Sequence, residues 1–322
     1  MIINISDAWR LAVVPHNVFL KALLIKGIQE LNAKSYGSPI RQLLVGFLIA
    51  NFKTILSSSP GPLPSAIEAF HMVFPGPITR AIACELLKEI FDYDAFSKKP
   101  MTAPAINGWH AYQLCALCPY KFCPYCQFAP IDTKPPLKVG AKSYRPDLDH
   151  YYSQSRYPFL ALTLGNFIPS CKKCNGPQMK GAVDFSTTPH LHPLSDEEVI
   201  SFSLVPLASG VNNHIDYLAL EMPPEKYVLK LRVRGGQAKA VSSIHTFQLY
   251  DRYRVFVGDA YYLARTMRGH QSRAAMLDES FSALNILQRD SLGFDPKGDS
   301  YKNSYLGKLK IDIARNYGLP LV

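Results

Sequence analysis

The sequence predicts an α+β protein in which a small, metal-held centre separates an N-terminal helical region from a mixed, mostly helical C-terminal one. Three observations carry this. Apolar residues recur at helical spacing through most of the first hundred positions. Six of the seven cysteines then fall in Cys-x-x-Cys pairs inside a stretch rich in Pro, Gly and aromatic residues. Farther on, "YVLKLRVRG" alternates with the period of a strand before helical spacing returns. The expected regions are therefore 1–100, 101–190 and 191–322.

In the first region, "NVFLKALLIKGIQELN" reads as an amphipathic helix. Ser38 and Pro39 form an N-cap and N1 pair for a second helix running to about Leu56. The breaker-rich "SSSPGPLPS" at 57–65 interrupts it, and "SAIEAFHMVF" and "PITRAIACELLKEIFDYDAF" supply two more helices. Cys84, inside the last of these, reads as a buried, chemically silent thiol. From 101 to 190 no long apolar period survives, so this segment needs something other than a large core, and a structural metal suits that need. In the third region, Leu229, Leu231 and Val233 share one face of a strand and Lys230, Arg232 and Arg234 the other, with "VISFSLV" and "IDYLALEM" as pairing partners. Helical spacing resumes at "SIHTFQLYDRYRVF" and ends in "SYLGKLKIDIARNYG", stopped by Gly318 and Pro320. There is no internal repeat or low-complexity tract.

With 322 residues, 48% of them apolar, the chain builds its core without disulfides. Paired thiols therefore point to metal binding in a reducing compartment. The start, "MIINISDAWR", lacks the pattern of a secretory signal, and "QLLVGFLIANF" is too short to span a bilayer, so the expected location is the cytoplasm. Of the formal net charge of +10, an excess of five sits between Cys115 and Phe185 (nine Lys/Arg against four Asp). That concentration suits a polyanionic partner; a solvated basic surface is the plain alternative.

Two Cys-x-x-Cys turns, Cys123/Cys126 and Cys171/Cys174, have the spacing of a tetrahedral zinc site, because each two-residue turn lets both sulfurs face one ion. A third pair, Cys115/Cys118, competes with Cys123/Cys126 for that role or supplies structural thiols nearby. Between the outer pairs stand Asp149 and His150, and Asn175 directly follows Cys174.

The order Cys-x-x-Cys, Asp-His, Asn, Cys-x-x-Cys-Asn resembles the HNH endonucleases, or ββα-metal nucleases. "LDHYYSQSRYPFLALTLGNFIPSCKKCN" is most similar to zinc-bearing HNH modules of bacterial anti-phage defence, over residues 123 to about 181. The resemblance implies a ββα-metal module with zinc knuckles at the centre of the chain. It assigns His150 as general base, Asp149 and Asn175 as ligands of a catalytic Mg²⁺ or Mn²⁺, and Asn166 as a brace that orients His150. It implies a structural zinc on Cys123, Cys126, Cys171 and Cys174, double-stranded DNA as partner, and a regulatory protein such as an ATPase or sensor. Arg156, Lys172, Lys173 and Lys180 are the candidate phosphate contacts. Lys180 departs from the family spacing, standing five residues after Asn175 where relatives place a lysine three or four residues on. Two other readings stay open: a zinc-held adaptor for nucleic acid or protein with no catalysis, and an RNA-directed or toxin-type nuclease.

Overall fold

The computed structural model describes residues 2–98, 108–207, 219–277 and 281–318. The chain forms two compact units, one of Asn4–Tyr120 with Ile131–Asp196, the other of Met1–Ile3, Lys121–Pro130 and Glu197–Val322.

The first unit opens with helices α1 (Val13–Ala33), α2 (Pro39–Ala50), α3 (Phe52–Ile55), α4 (Leu63–Val73), α5 (Pro77–Ile90), α6 (Tyr93–Ser97) and α7 (Ala111–Ala116). Pro39 and Pro77 occupy the first turns of α2 and α5, where a missing N–H costs nothing. The helix expected to reach Leu56 stops at Ala50, where the Asn51 side chain turns back to donate to the Phe47 carbonyl at 2.9 Å, and α3 follows as a separate turn. Asp92 caps α6 by accepting from Ala95 N at 2.9 Å.

The same unit contains an antiparallel pair, β1 (Asp147–His150) and β2 (Phe167–Ser170), in the register Asp149 to Ile168 and His150 to Phe167, followed by one helical turn, α8 (Lys172–Asn175). Two four-residue strands cannot stand alone in water. The N-terminal helices cover them, and β2 is buried along its whole length. Phe159 packs edge-on to Phe47 at 4.9 Å between ring centres and against Phe70 at 5.1 Å. Polar ties run alongside: Trp9 Nε1 donates to the Phe167 carbonyl at 2.9 Å, Thr163 Oγ1 to that of Ile55 at 2.9 Å, and Gly165 N to that of Ser57 at 3.0 Å. Gly165 is required there, because a Cβ would lie 2.5 Å from the Ser59 carbonyl oxygen. Residues 131–190 thus share one core with the preceding helices, and the break expected near residue 100 does not separate the units.

His16, on α1, belongs to this shared core. Its Nε2 bonds the Leu162 carbonyl at 2.7 Å, and its Nδ1 accepts from Trp109 Nε1 at 3.0 Å, an arrangement that only the neutral ring can make. Burial pulls its pKa down to about 4, against the lesser opposing effect of the Leu162 bond. The neutral ring is therefore favoured in the folded chain. Its contribution is complete above the unfolded value near 6.5 and fades as pH falls toward 4, by on the order of 3 kcal/mol in all. Urea unfolding at several pH values across that window should show this slope in the wild type, and His16→Phe should lose that part of it.

In the second unit, β3 (Ile200–Pro206) pairs antiparallel with β4 (Tyr227–Val233), Phe202 facing Leu231. The alternation expected of β4 is present, with Leu231 buried and Lys230 and Arg232 exposed. "VISFSLV" is its partner; of "IDYLALEM" the first four residues and, farther on, Pro320 lie outside the described residues, and residues 219–222 are not in a strand. Helices α9 (Ala238–Thr246), α10 (Leu249–Tyr253), α11 (Val257–Leu277), α12 (Phe281–Leu292) and α13 (Gly307–Tyr317) complete the unit. On α13 a buried pair, Lys308 Nζ to Asp312 Oδ1 at 2.6 Å, is tied to the sheet by Asp312 Oδ2, which accepts from Phe202 N at 2.9 Å. Among the described residues no helix is long and apolar enough to cross a membrane.

Candidate active site and metal centre

Cys123, Cys126, Cys171 and Cys174 bring their sulfur atoms within 4.8 Å of one another. A tetrahedral zinc with arms of about 2.3 Å has sulfur–sulfur edges of roughly 3.8 Å, so the donor type and the spacing both suit that ion. All four thiols are outside any disulfide. Local geometry prepares each pair. At the first, Cys123 N donates to the Ala129 carbonyl at 2.9 Å and Cys126 N to that of Cys123 at 3.2 Å, after which Gln127 takes a left-handed backbone with φ of 52°. Gln127 is buried and holds the turn in place: its Nε2 donates to the Tyr301 carbonyl at 2.7 Å and its Oε1 accepts from Lys308 N at 2.6 Å. At the second, Cys171 is the N-cap of α8, its sulfur accepting from Cys174 N at 3.5 Å. Cys115 and Cys118 are not in the cluster. Burial raises the pKa of both thiols, that of Cys118 to about 12, which keeps them protonated.

Asp149, His150 and Asn175 line one open cleft of about 380 Å³, together with Tyr93, Arg145 and Asp147 among others. Strand β1 brings the acids there: Asp147 and Asp149 are two apart and share a face. Asn175 reaches the same place from the end of α8, its Nδ2 donating to Asp147 Oδ2 at 3.3 Å. That bond uses the amide nitrogen and fixes which end of the side chain is the oxygen. Two carboxylates and an amide oxygen are hard donors, matched to Mg²⁺ or Mn²⁺ as the thiolates are to zinc.

His150 is buried and wedged between aromatic rings, with Tyr93 edge-on at 4.5 Å and Phe167 at 5.2 Å between centres. Its Nε2 lies 2.9 Å from the Ala161 carbonyl oxygen. A carbonyl only accepts, so Nε2 carries the proton and Nδ1 keeps the lone pair. Burial pulls the ring's pKa to about 4, against the lesser opposing effects of the Ala161 bond and the Asp149 carboxylate, so it is neutral at physiological pH.

Asn166 does not touch the cleft. Its Oδ1 accepts from Tyr152 N at 2.7 Å, and its Nδ2 donates to the carbonyls of Tyr152 at 3.0 Å and Leu160 at 3.1 Å. It closes the loop that joins β1 to β2, whose residue Ala161 holds the imidazole, so its hold on His150 is indirect. The four expected phosphate contacts are dispersed. Lys172 and Lys173 are exposed on α8 away from the cleft lining. Arg156 pairs with Asp184 at 2.9 Å and lines a separate depression with His71, Arg80 and Lys88. Lys180 does line the cleft, yet it is buried, its Nζ 2.6 Å from Asp149 Oδ1.

Among the cleft residues that sequence reasoning passed over are Tyr93, Arg145 and Asp147. Arg145 and Asp147 were within reach of it, since "RPDLDH" places Arg145, Asp147 and Asp149 at successive even steps along one extended segment. Tyr93 lies more than fifty positions upstream and carries no local signal; only the fold brings its ring to His150 and its hydroxyl to the Leu148 carbonyl at 3.4 Å. Comparison with protein-family models, curated proteins and solved structures gives no match, so the reading of this site rests on its own geometry and chemistry.

Proposed function

We propose that this protein is a metal-dependent endonuclease of the HNH kind, hydrolysing DNA phosphodiester bonds at the Asp149–His150 cleft. The observation that carries the reading is the convergence of Asp149, His150 and Asn175 on one open cleft, from a strand end and from a helical turn capped by a cluster thiol. Double-stranded DNA as substrate, anti-phage defence as setting and a sensor or ATPase as partner follow from the sequence resemblance.

In this reading His150 Nδ1 takes the proton of the attacking water, and the Nε2–H bond to Ala161 stabilises the imidazolium that results. The ring's low pKa keeps it unprotonated beforehand, and an anionic phosphate entering the cleft raises its basicity when it is needed. Asp149, Asp147 and Asn175 would hold one divalent cation, which supplies charge stabilisation to the phosphoryl oxygens and leaving group when bound. Arg145, whose guanidinium donates to the Pro146 carbonyl at 2.7 Å and the Ser97 carbonyl at 3.0 Å, would add a fixed positive charge to the lining. The formal charges of Asp147 and Asp149 are balanced by those of Arg145 and Lys180, so the positive charge that a developing phosphoryl dianion needs would come from the cation these residues would hold. Zinc on the four thiols would set α8 and thereby Asn175.

The test is supercoiled plasmid incubated with Mg²⁺ or Mn²⁺. Nicked and linear products are expected, lost when Mg²⁺ and Mn²⁺ are withheld and slowed about 100-fold in Asn175→Ala. Binding without cleavage under every divalent ion tried would replace this reading with a nucleic-acid adaptor. Preferential digestion of a matched RNA would replace the DNA assignment alone.

A further inference from the structure

We propose that Lys180 is a positioning residue for the cation site and makes no contact with the nucleic-acid phosphates. This rests on the nuclease reading above and specifies how its carboxylate is held. A lysine ammonium has three N–H donors. At Lys180 all three have acceptors inside the protein: Asp149 Oδ1 at 2.6 Å, the His150 carbonyl at 2.5 Å and the Tyr151 carbonyl at 3.4 Å. The Nζ sits 4.5 Å from the centre of the Phe185 ring, and the residue is 5% exposed. No donor remains for a phosphate oxygen.

The backbone explains the five-residue offset from Asn175. After α8 the chain makes a tight turn, with Met179 N and Gly181 N both donating to the Gly176 carbonyl and Lys180 N returning to the Cys174 carbonyl at 3.2 Å. Gly176 and Gly181 are needed for it: a Cβ on the former would lie 2.7 Å from the Lys172 carbonyl oxygen, and the latter has a φ of 48°. The turn sends Lys180 back under β1, so its backbone is tied to a cluster cysteine and its side chain to Asp149. The ammonium clamps the strand end that presents His150 and fixes the rotation of the Asp149 carboxylate. It also removes one unit of negative charge from the site, which weakens the hold on a divalent ion while setting where that ion sits.

These roles separate in a single variant. Lys180→Gln keeps a donor for Asp149 Oδ1 and removes the charge. Manganese titrated into the protein without DNA should bind about 10-fold tighter than in the wild type, because the carboxylate is no longer neutralised. Plasmid nicking should fall about 100-fold. The slope of DNA affinity against salt, measured with no Mg²⁺ or Mn²⁺ added, should stay unchanged, whereas loss of a phosphate contact lowers it by about one. Lys180→Met carries the same expectations with the hydrogen bond also gone, and a folding failure there leaves the Lys180→Gln measurements decisive. A reduced salt slope, or wild-type manganese affinity with wild-type nicking, overturns the proposal. A wild type that neither binds manganese nor nicks DNA overturns the nuclease reading itself.

Discussion

His150→Ala is expected to slow plasmid nicking by about 1000-fold at saturating Mn²⁺, while DNA binding with no Mg²⁺ or Mn²⁺ added stays within a factor of about two. The size of the loss follows from the ring's chemistry. Nε2 is committed to the Ala161 carbonyl, so Nδ1 is the nitrogen able to take a proton. Alanine also removes a ring packed between Tyr93 and Phe167, and a cavity of that kind costs a few kcal/mol, roughly 2–4. A melting curve separates the two effects. If nicking falls only in proportion to the unfolded fraction, His150 has a packing role and the general-base assignment fails. Recovery of nicking on adding free imidazole to a folded His150→Ala protein would place the lost function in the ring itself.

The second large effect is expected at the thiol cluster. The purified protein should contain about one zinc per chain by elemental analysis, and Cys174→Ser should lower that toward zero. Binding of structural zinc is worth about 10 kcal/mol or more in small domains, comparable with the whole stability of an ordinary fold. Cys174→Ser or a strong chelator should therefore produce a loose, protease-sensitive protein. Cys115→Ser and Cys118→Ser form the control, because neither thiol is in the cluster and burial holds both protonated. Their zinc content should match the wild type; a loss of zinc in these variants with retention in Cys174→Ser would show that the ligands had been misassigned.

What the sequence revealed and what it concealed divide along a physical line. Thiol pairs, capping prolines and the alternation of "YVLKLRVRG" are local signals, set by the stereochemistry of a few neighbouring residues, and the corresponding elements stand where expected. The choice between Cys115/Cys118 and Cys123/Cys126 was not local. Both pairs have the same spacing, and only the folded chain brings the second near Cys171 and Cys174. The helical region of the first hundred residues was legible as helices but not as a cover for the β1–β2 pair. Its ties to that pair, from Trp9, His16, Ile55 and Ser57, run through main-chain carbonyls on one side or the other and leave no side-chain pattern to read. Lys180 shows the limit most plainly. In one dimension it is a basic residue in a basic stretch, and in three it is the buried counter-ion of Asp149.

The snug approach of Gly165 to the turn running from Ser57 to Pro60 has a practical corollary. A fragment cut to residues 101–190 would strip the roof from β2, uncover Phe159 and Phe167, and abandon the carbonyl of Ile55 that anchors Thr163. Anyone wishing to graft this hairpin onto another carrier should transplant the leading helices with it. Homologous recombination within the gene would, by the same logic, tolerate poorly a crossover that takes the leading helices and β2 from different parents.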